Sequence, residues 1–269
     1  MKGTPCTIYD CEFDVFVQGT IIENKVFALD NNNHLVLASK QICEHVDFGR
    51  VQFYVGGHDD EAINGSSKWG YFRLSDGEIT VPPYYDYAYP YYGDRARVIK
   101  DGKYGFLDPT GCCVVGLVWD DCGSSFISGL CPVKRGWLWG YIDKNGKTVV
   151  KPSFEMAERF ERTSKGDYIA LVKKLGKYGY LNEHGDYVFE PNLDAAESFR
   201  FKEYAPVNIR GLWGFIDAKG NYVVALQFDE VAHSVFWNYY LVRKGKLWGI
   251  MDEHLTVIML EPGARYLVH

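Results

Sequence analysis

Four cysteines, Cys112, Cys113, Cys122 and Cys131, fall within 20 residues of one another and are the first candidates for metal or redox chemistry. A zinc site asks for C-x2-4-C pairs followed by a second pair or by histidines, and this spacing does not supply one. His184 and His254 each stand six residues after an aromatic-Gly dipeptide, a position shared with Thr110, Asn145 and Lys219. That places them in turns. The sequence holds no H-E-x-x-H, no G-x-S-x-G and no phosphate loop. Catalytic, cofactor-binding and metal-ligating residues are therefore all expected to be absent, and the chain is not expected to be an enzyme. The acids Asp59, Asp60 and Glu61 of the stretch 56–67 would be the last resort of a hydrolytic reading.

Recognition chemistry is better represented. Tyr84, Tyr87 and Tyr89 belong to a tyrosine-rich run, and tyrosine supplies a rigid ring with a hydroxyl that can bond a partner. Asp59, Asp60 and Glu61 could attract a basic partner from an inserted loop, which the sequence reads as either a binding loop or a disordered one. Basic residues recur on the same hairpin of successive copies: Lys100, Lys134, Arg135, Lys173, Lys174, Arg210, Arg243 and Lys244. Stacked in order they would form a stripe able to meet an anionic polymer or an acidic protein face. Lysines on exposed hairpins also keep sheet edges from pairing with other chains.

What must position these groups is a repeat. An aromatic followed by Gly recurs at Trp69, Tyr104, Trp139, Tyr178, Trp213 and Trp248, with steps of 35, 35, 39, 34 and 35 residues. Asp108, Asp143, Asn182, Asp217 or Asp252 lies four residues on, and Gly111, Gly146, Gly185 or Gly220 lies seven on. Fifteen after the anchor comes Trp119, Phe154, Leu193 or Phe228, each followed by an acid. Cys122 and Cys131 fall in the small slots that Ala157 and Ala170 fill elsewhere, which accounts for them as packing residues. Each unit reads as three antiparallel strands. A tight Gly-containing hairpin precedes the anchor strand, and a D-x-x-G turn follows it, with Asp capping its own backbone and Gly left-handed. The stretch Lys25–Asp30 fits the register without its aromatic-Gly pair, so an eroded first copy is expected. Terminal repeats are usually atypical because one face meets solvent.

Composition agrees. Of 269 residues, 16% are aromatic and 28 are Gly, the profile of many short strands joined by tight turns. A net charge of −6 argues against a nucleic-acid binder at the level of the whole chain. No apolar run reaches the ~20 residues of a membrane helix, and no signal segment opens the sequence. Seven cysteines, an odd number, fit reduced thiols in a cytoplasmic compartment.

The stretch Leu138-Trp139-Gly140-Tyr141-Ile142-Asp143 through Gly146, Pro152, Phe154-Glu155 and Ala157 resembles the WG-repeat family, whose consensus runs K-W-G-[FY]-I-D-x-x-G-x-x-V-x-P-x-[YF]-[DE]-x-A. The resemblance implies a bacterial or phage binding repeat without catalytic residues. The expectation is an all-β chain of about seven ~35-residue, three-stranded antiparallel repeats stacked as an open superhelical array, with a closed β-propeller-like ring as the alternative. Residues 1–67 would form a degenerate N-terminal cap with the 56–67 insert, and 68–269 five to six WG repeats ending in a second cap. The expected function is a binding module acting by occupancy, as scaffold, adaptor or inhibitor, on another protein. Binding of an anionic polymer such as nucleic acid along the basic hairpins, or of a glycan by exposed aromatics, are the alternatives. No membrane partner is expected, and the oligomeric state is left open.

Overall fold

The computed structural model describes residues 3–10, 15–29, 35–37, 49–56, 67–199, 202–233, 239–252 and 254–259. Among them the regular structure is antiparallel β-sheet, with no α-helix. The repeat is plainest in the sheet built from Tyr87–Tyr92, Arg95–Lys100, Lys103–Leu107 and Cys113–Trp119, which run side by side in chain order. The same order recurs in the sheets whose anchor strands are Leu138–Asp143, Lys177–Asn182, Leu212–Asp217 and Leu247–Met251.

Each of these five sheets thus holds four principal strands, which corrects the three read from the sequence. After the large apolar residue that ends one sheet (Tyr85, Trp119, Phe154, Leu193 or Phe228), the chain passes a single acid (Asp86, Asp120, Glu155, Asp194 or Asp229) and enters the first strand of the next. That strand is as short as Asp121–Cys122, Met156–Ala157 or Ala195–Ala196. Two residues are too few to show an alternating pattern, so periodicity cannot reveal them.

The N-terminal strands, expected as a cap of their own, share a seven-stranded sheet with the Trp69 copy. Thr4–Asp10 pairs Val15–Ile22 on one side and Arg50–Val55 on the other, with Thr7 opposite Tyr54 and Ile8 opposite Phe53. Strands Thr4–Asp10, Val15–Ile22, Lys25–Leu29 and Leu35–Leu37 nevertheless lie in the same order as the four strands of a later sheet.

The local turns form as their residues dictate. Asp108 Oδ1 accepts the N–H groups of Thr110 at 2.9 Å and Cys112 at 3.0 Å, and Asp143, Asn182, Asp217 and Asp252 repeat the arrangement. Gly111 takes φ 89° at the end of this turn. In the last copy Leu255 replaces that Gly and still adopts φ 64°.

Packing is also periodic. In every copy but the last, the ring two residues after the anchor meets a second ring: Tyr71 with Tyr91 at 5.2 Å, Phe106 with Phe126 at 4.8 Å, Tyr141 with Phe160 at 5.0 Å, Tyr180 with Phe199 at 5.5 Å and Phe215 with Tyr240 at 4.9 Å. Tyr91 is therefore the residue of the tyrosine run that fills the slot of Phe160 and Phe199. The buried hydroxyls of Tyr71, Tyr141 and Tyr180 each donate at 2.6 Å to a backbone carbonyl, of Tyr89, Glu158 and Glu197 respectively. A buried polar atom must be paired, and here each pairing joins the anchor strand to the chain that follows.

Two compact units result. One comprises Met1–Phe126, Val133–Gly136 and Ile142–Lys147, with cores around Ile8, Val51 and Phe53 and around Trp69, Tyr71 and Tyr85. The other comprises Ile127–Pro132, Trp137–Tyr141 and Thr148–His269, with cores around Tyr141 and Phe154, around Tyr180 and Phe199, and around Phe215 and Phe228.

Candidate interaction surface

In the copies after Trp69 the hairpin before the anchor strand is a two-residue turn. Lys174 pairs Lys177 across Leu175-Gly176, Ile209 pairs Leu212 across Arg210-Gly211, and Lys244 pairs Leu247 across Gly245-Lys246. The acids at the sheet crossings hold these turns. Asp194 is paired with Lys177 of its own sheet and accepts the Arg210 N–H of the next sheet's turn at 2.6 Å. Asp120 does the same with Lys103 and the Gly136 N–H at 2.6 Å. Glu155 takes the Gly176 N–H at 3.1 Å, and Asp229 the Gly245 N–H at 2.5 Å. Because one carboxylate spans two turns, successive hairpin tips within a compact unit follow one another along an edge.

The ion pair with Lys177, followed by the Arg210 amide, holds the Asp194 carboxyl below its ordinary value, and Lys103 and the Gly136 amide do so for Asp120. A carboxyl whose value is lower folded than unfolded adds stability above the unfolded value, near 4. That stability is lost as pH falls through the lowered folded value. Asp194→Asn is expected to lower the thermal midpoint near pH 7 and to leave it unchanged near pH 2. Circular-dichroism melts at the two pH values check this, and an equal deficit at both would show that charge plays no part.

The basic residues sit on these hairpins, several of them engaged. Lys100 lies 3.5 Å from Asp86 and 4.8 Å from the centre of the Tyr84 ring. Arg135 stacks on Trp119 at 4.8 Å, Lys173 on Tyr178 at 4.9 Å and Lys174 on Phe154 at 6.0 Å. Arg243 pairs with Glu230 at 3.1 Å, and Lys244 donates to Gln227 at 3.1 Å. Lys134 presents its carbonyl to the Asp120 N–H at 2.9 Å. Arg210 offers its backbone N–H to Asp194, and no described ion pair uses its guanidinium.

Tyr84 is exposed, but Tyr87 and Tyr89 are half-buried. Tyr87 lies 4.8 Å from Trp69 and 4.7 Å from Tyr89, whose ring carries the Arg97 guanidinium at 3.7 Å. These two rings pack the fold. Asp59, Asp60 and Glu61 lie outside the described residues. The ends of that insertion are joined by Ser67 Oγ donating to the Gly56 carbonyl at 2.6 Å. Cys122 and Cys131 are buried in their small slots, and Cys112 and Cys113 are exposed. Burial pushes the Cys122 thiol up to about 12, away from nucleophilic character. Among the described residues, no group of three or more His, Cys, Asp or Glu is placed to hold a metal ion.

Two residues passed over by the sequence reading stand out. Trp137 is 88% exposed and Leu175 87%, both at hairpin tips. Leu175 also holds φ 51°, a left-handed conformation that costs a non-glycine residue about 1–2 kcal/mol. Asp101 and Arg210 occupy the same tip position in other copies, so the fold itself does not ask for an apolar side chain there. Slot-by-slot comparison of the tips was the available signal.

The 39-residue step has a structural result as well. Its extra residues form the short strand Glu161–Arg162 and a turn at Thr163–Gly166. Gly166, at the end of that turn, helps line a cavity of about 430 Å³ together with Asn182, Glu183, His184 and Lys219. Glu183 is held there by the Ser128 hydroxyl at 3.0 Å.

No helix among the described residues is long and apolar enough to cross a membrane. Among solved structures, the chain is similar to a eukaryotic initiation factor at 9% identity and TM-score 0.41, covering 97% of this chain and 85% of that one. It is similar to Hsv2p of Kluyveromyces lactis at 9% identity and TM-score 0.37, covering 75% and 71%. Virginiamycin B lyase of Staphylococcus aureus gives 11% identity and TM-score 0.31, covering 82% and 83%. No curated protein matches the sequence. The profile of the WG containing repeat matches residues 69–104, 139–178, 178–213 and 213–248, more than half of the chain. With its anchors, D-x-x-G turns and crossing acids recurring at the repeat spacing, the chain belongs to the WG-repeat family.

Proposed function

We propose that this chain is a non-catalytic binding module that acts by occupying another protein, as scaffold, adaptor or inhibitor. The observation that carries the reading is the row of hairpin tips, on which Trp137 and Leu175 expose apolar side chains that the fold does not require. Eight recurring acids are engaged structurally: Asp108, Asp143, Asp217 and Asp252 cap turns, and Asp120, Glu155, Asp194 and Asp229 hold hairpins. Retention by the immobilised chain, with the bound material identified by mass spectrometry, tests it. A retained protein, lost or weakened when Lys173, Lys174 and Arg210 are reversed to Glu, is the expected result. Retention of nucleic acid alone, with the steep salt dependence of phosphate contacts, would overturn it.

A further inference from the structure

We propose that the hairpin tips of the second compact unit bind an acidic segment of a partner protein that also carries aliphatic or aromatic side chains. The inference rests on the binding-module reading and names the partner's chemistry. Trp137 and Leu175 are the most exposed large apolar residues of the described chain, at 88% and 87%. Leu138 and Leu212, each 40% exposed, flank tips of the same unit. Asp194 links the Leu175 hairpin to the Arg210 hairpin through Lys177 and the Arg210 N–H, so Leu175 and Leu212 belong to turns tied to one another.

Positive charge is interleaved with them. Lys173 and Lys174 precede Leu175, and Arg210 is the tip of the next hairpin. No ion pair among the described residues takes any of the three. A chain of net charge −6 therefore presents here a short basic and apolar edge. Charge complementarity selects an acidic occupant, and the exposed rings and leucines select one with apolar side chains to cover them. A nucleic acid fits less well. Its phosphates give nothing to cover Leu138, Leu175 or Leu212.

Leucine at a left-handed tip also separates binding from folding. Asparagine is favoured where both central residues of a hairpin turn have positive φ, so Leu175→Asn is expected to raise the thermal midpoint while removing a contact. A random twelve-residue peptide library displayed on phage, selected against the intact chain, gives the direct test. The expected result is enrichment of sequences rich in Asp and Glu that also carry Leu or Phe. Binding of the enriched peptides should weaken at least about tenfold in Trp137→Ser/Leu175→Asn, with folding retained. Enrichment of basic or uncharged sequences, enriched peptides that bind the double variant equally, no enrichment at all, or displacement of the peptides by a single-stranded oligonucleotide at equal concentration would each overturn the proposal. A protein partner that the intact chain retains and the double variant retains equally would overturn it while leaving the binding-module reading in place.

Discussion

Replacing Gly140 with alanine is expected to cost about 2–3 kcal/mol of folding stability, although the change adds one methyl group. A Cβ at Gly140 would lie 2.4 Å from the Val150 carbonyl oxygen, 2.6 Å from the Pro152 nitrogen and 2.8 Å from the Lys151 carbonyl carbon. All three belong to the backbone of the neighbouring strand and cannot rotate away. Gly179 faces the Phe189 carbonyl oxygen at 2.6 Å and Gly214 that of Val224 at 2.5 Å, so their alanine variants should behave alike. Gly102 provides the contrast. An added Cβ there meets nothing within 4 Å, but φ is +69°. Its alanine variant should lose only about 1 kcal/mol, the ordinary cost of a side chain in that conformation. Gly249 in the last copy should also cost less than Gly140, because the nearest atom is Sδ of Met259, at 2.7 Å on a flexible side chain. Urea denaturation of the five variants measures the differences. Equal losses for Gly140→Ala and Gly102→Ala would mean that the anchor glycine is kept for conformation and not for close approach.

The glycines show why the fold was so legible in the sequence. The register of aromatic, Gly, Asp and Gly is written in side chains, or their absence, that each have one geometric reason, and all of them recur. The two-residue first strands carry no such mark. Ala195–Ala196 is a strand because Ala195 and Ala196 lie opposite Asn208 and Val207, a relation between distant segments that no local pattern encodes. The crossing acids were visible as a slot, but their partners are backbone N–H groups of the next sheet's turn, which every residue but proline possesses. The candidate surface was half legible. Lys173, Lys174 and Arg210 were found because charge recurs there, but Trp137 was hidden among 43 aromatic residues and two positions from the anchor Trp139. Its distinction is exposure, and an aromatic residue's exposure is decided by which side of a turn it leaves. Tyr87 and Tyr89 are the converse: surplus to the repeat pattern, they are drawn into packing by Trp69 and Arg97.

The second large effect is expected at Trp69, and it concerns whether anchors that look equivalent are energetically equivalent. Trp69 is 1% exposed, with Tyr54 and Tyr87 each 4.8 Å from its ring, whereas Trp248 is 38% exposed at the corresponding position of the last copy. Trp69→Ala should therefore cost about 3–5 kcal/mol, the range for deleting a buried tryptophan, and Trp248→Ala should cost well under half of that. Trp69→Phe supplies the refinement. The indole Nε1 of Trp69 is buried and has no hydrogen-bond partner among the described residues. Phenylalanine keeps an aromatic ring between the two tyrosines and removes that unpaired donor, so part of the packing loss is returned. Its cost should be about 1–2 kcal/mol, far below that of alanine. Denaturation midpoints read all three variants. If Trp248→Ala proved as costly as Trp69→Ala, burial would not be what distinguishes the copies, and the terminal anchor would have to be holding its unit by contacts other than those of a covered ring. If Trp69→Phe matched Trp69→Ala, the indole's full width, and not its place between Tyr54 and Tyr87, would be what the core of the first unit requires.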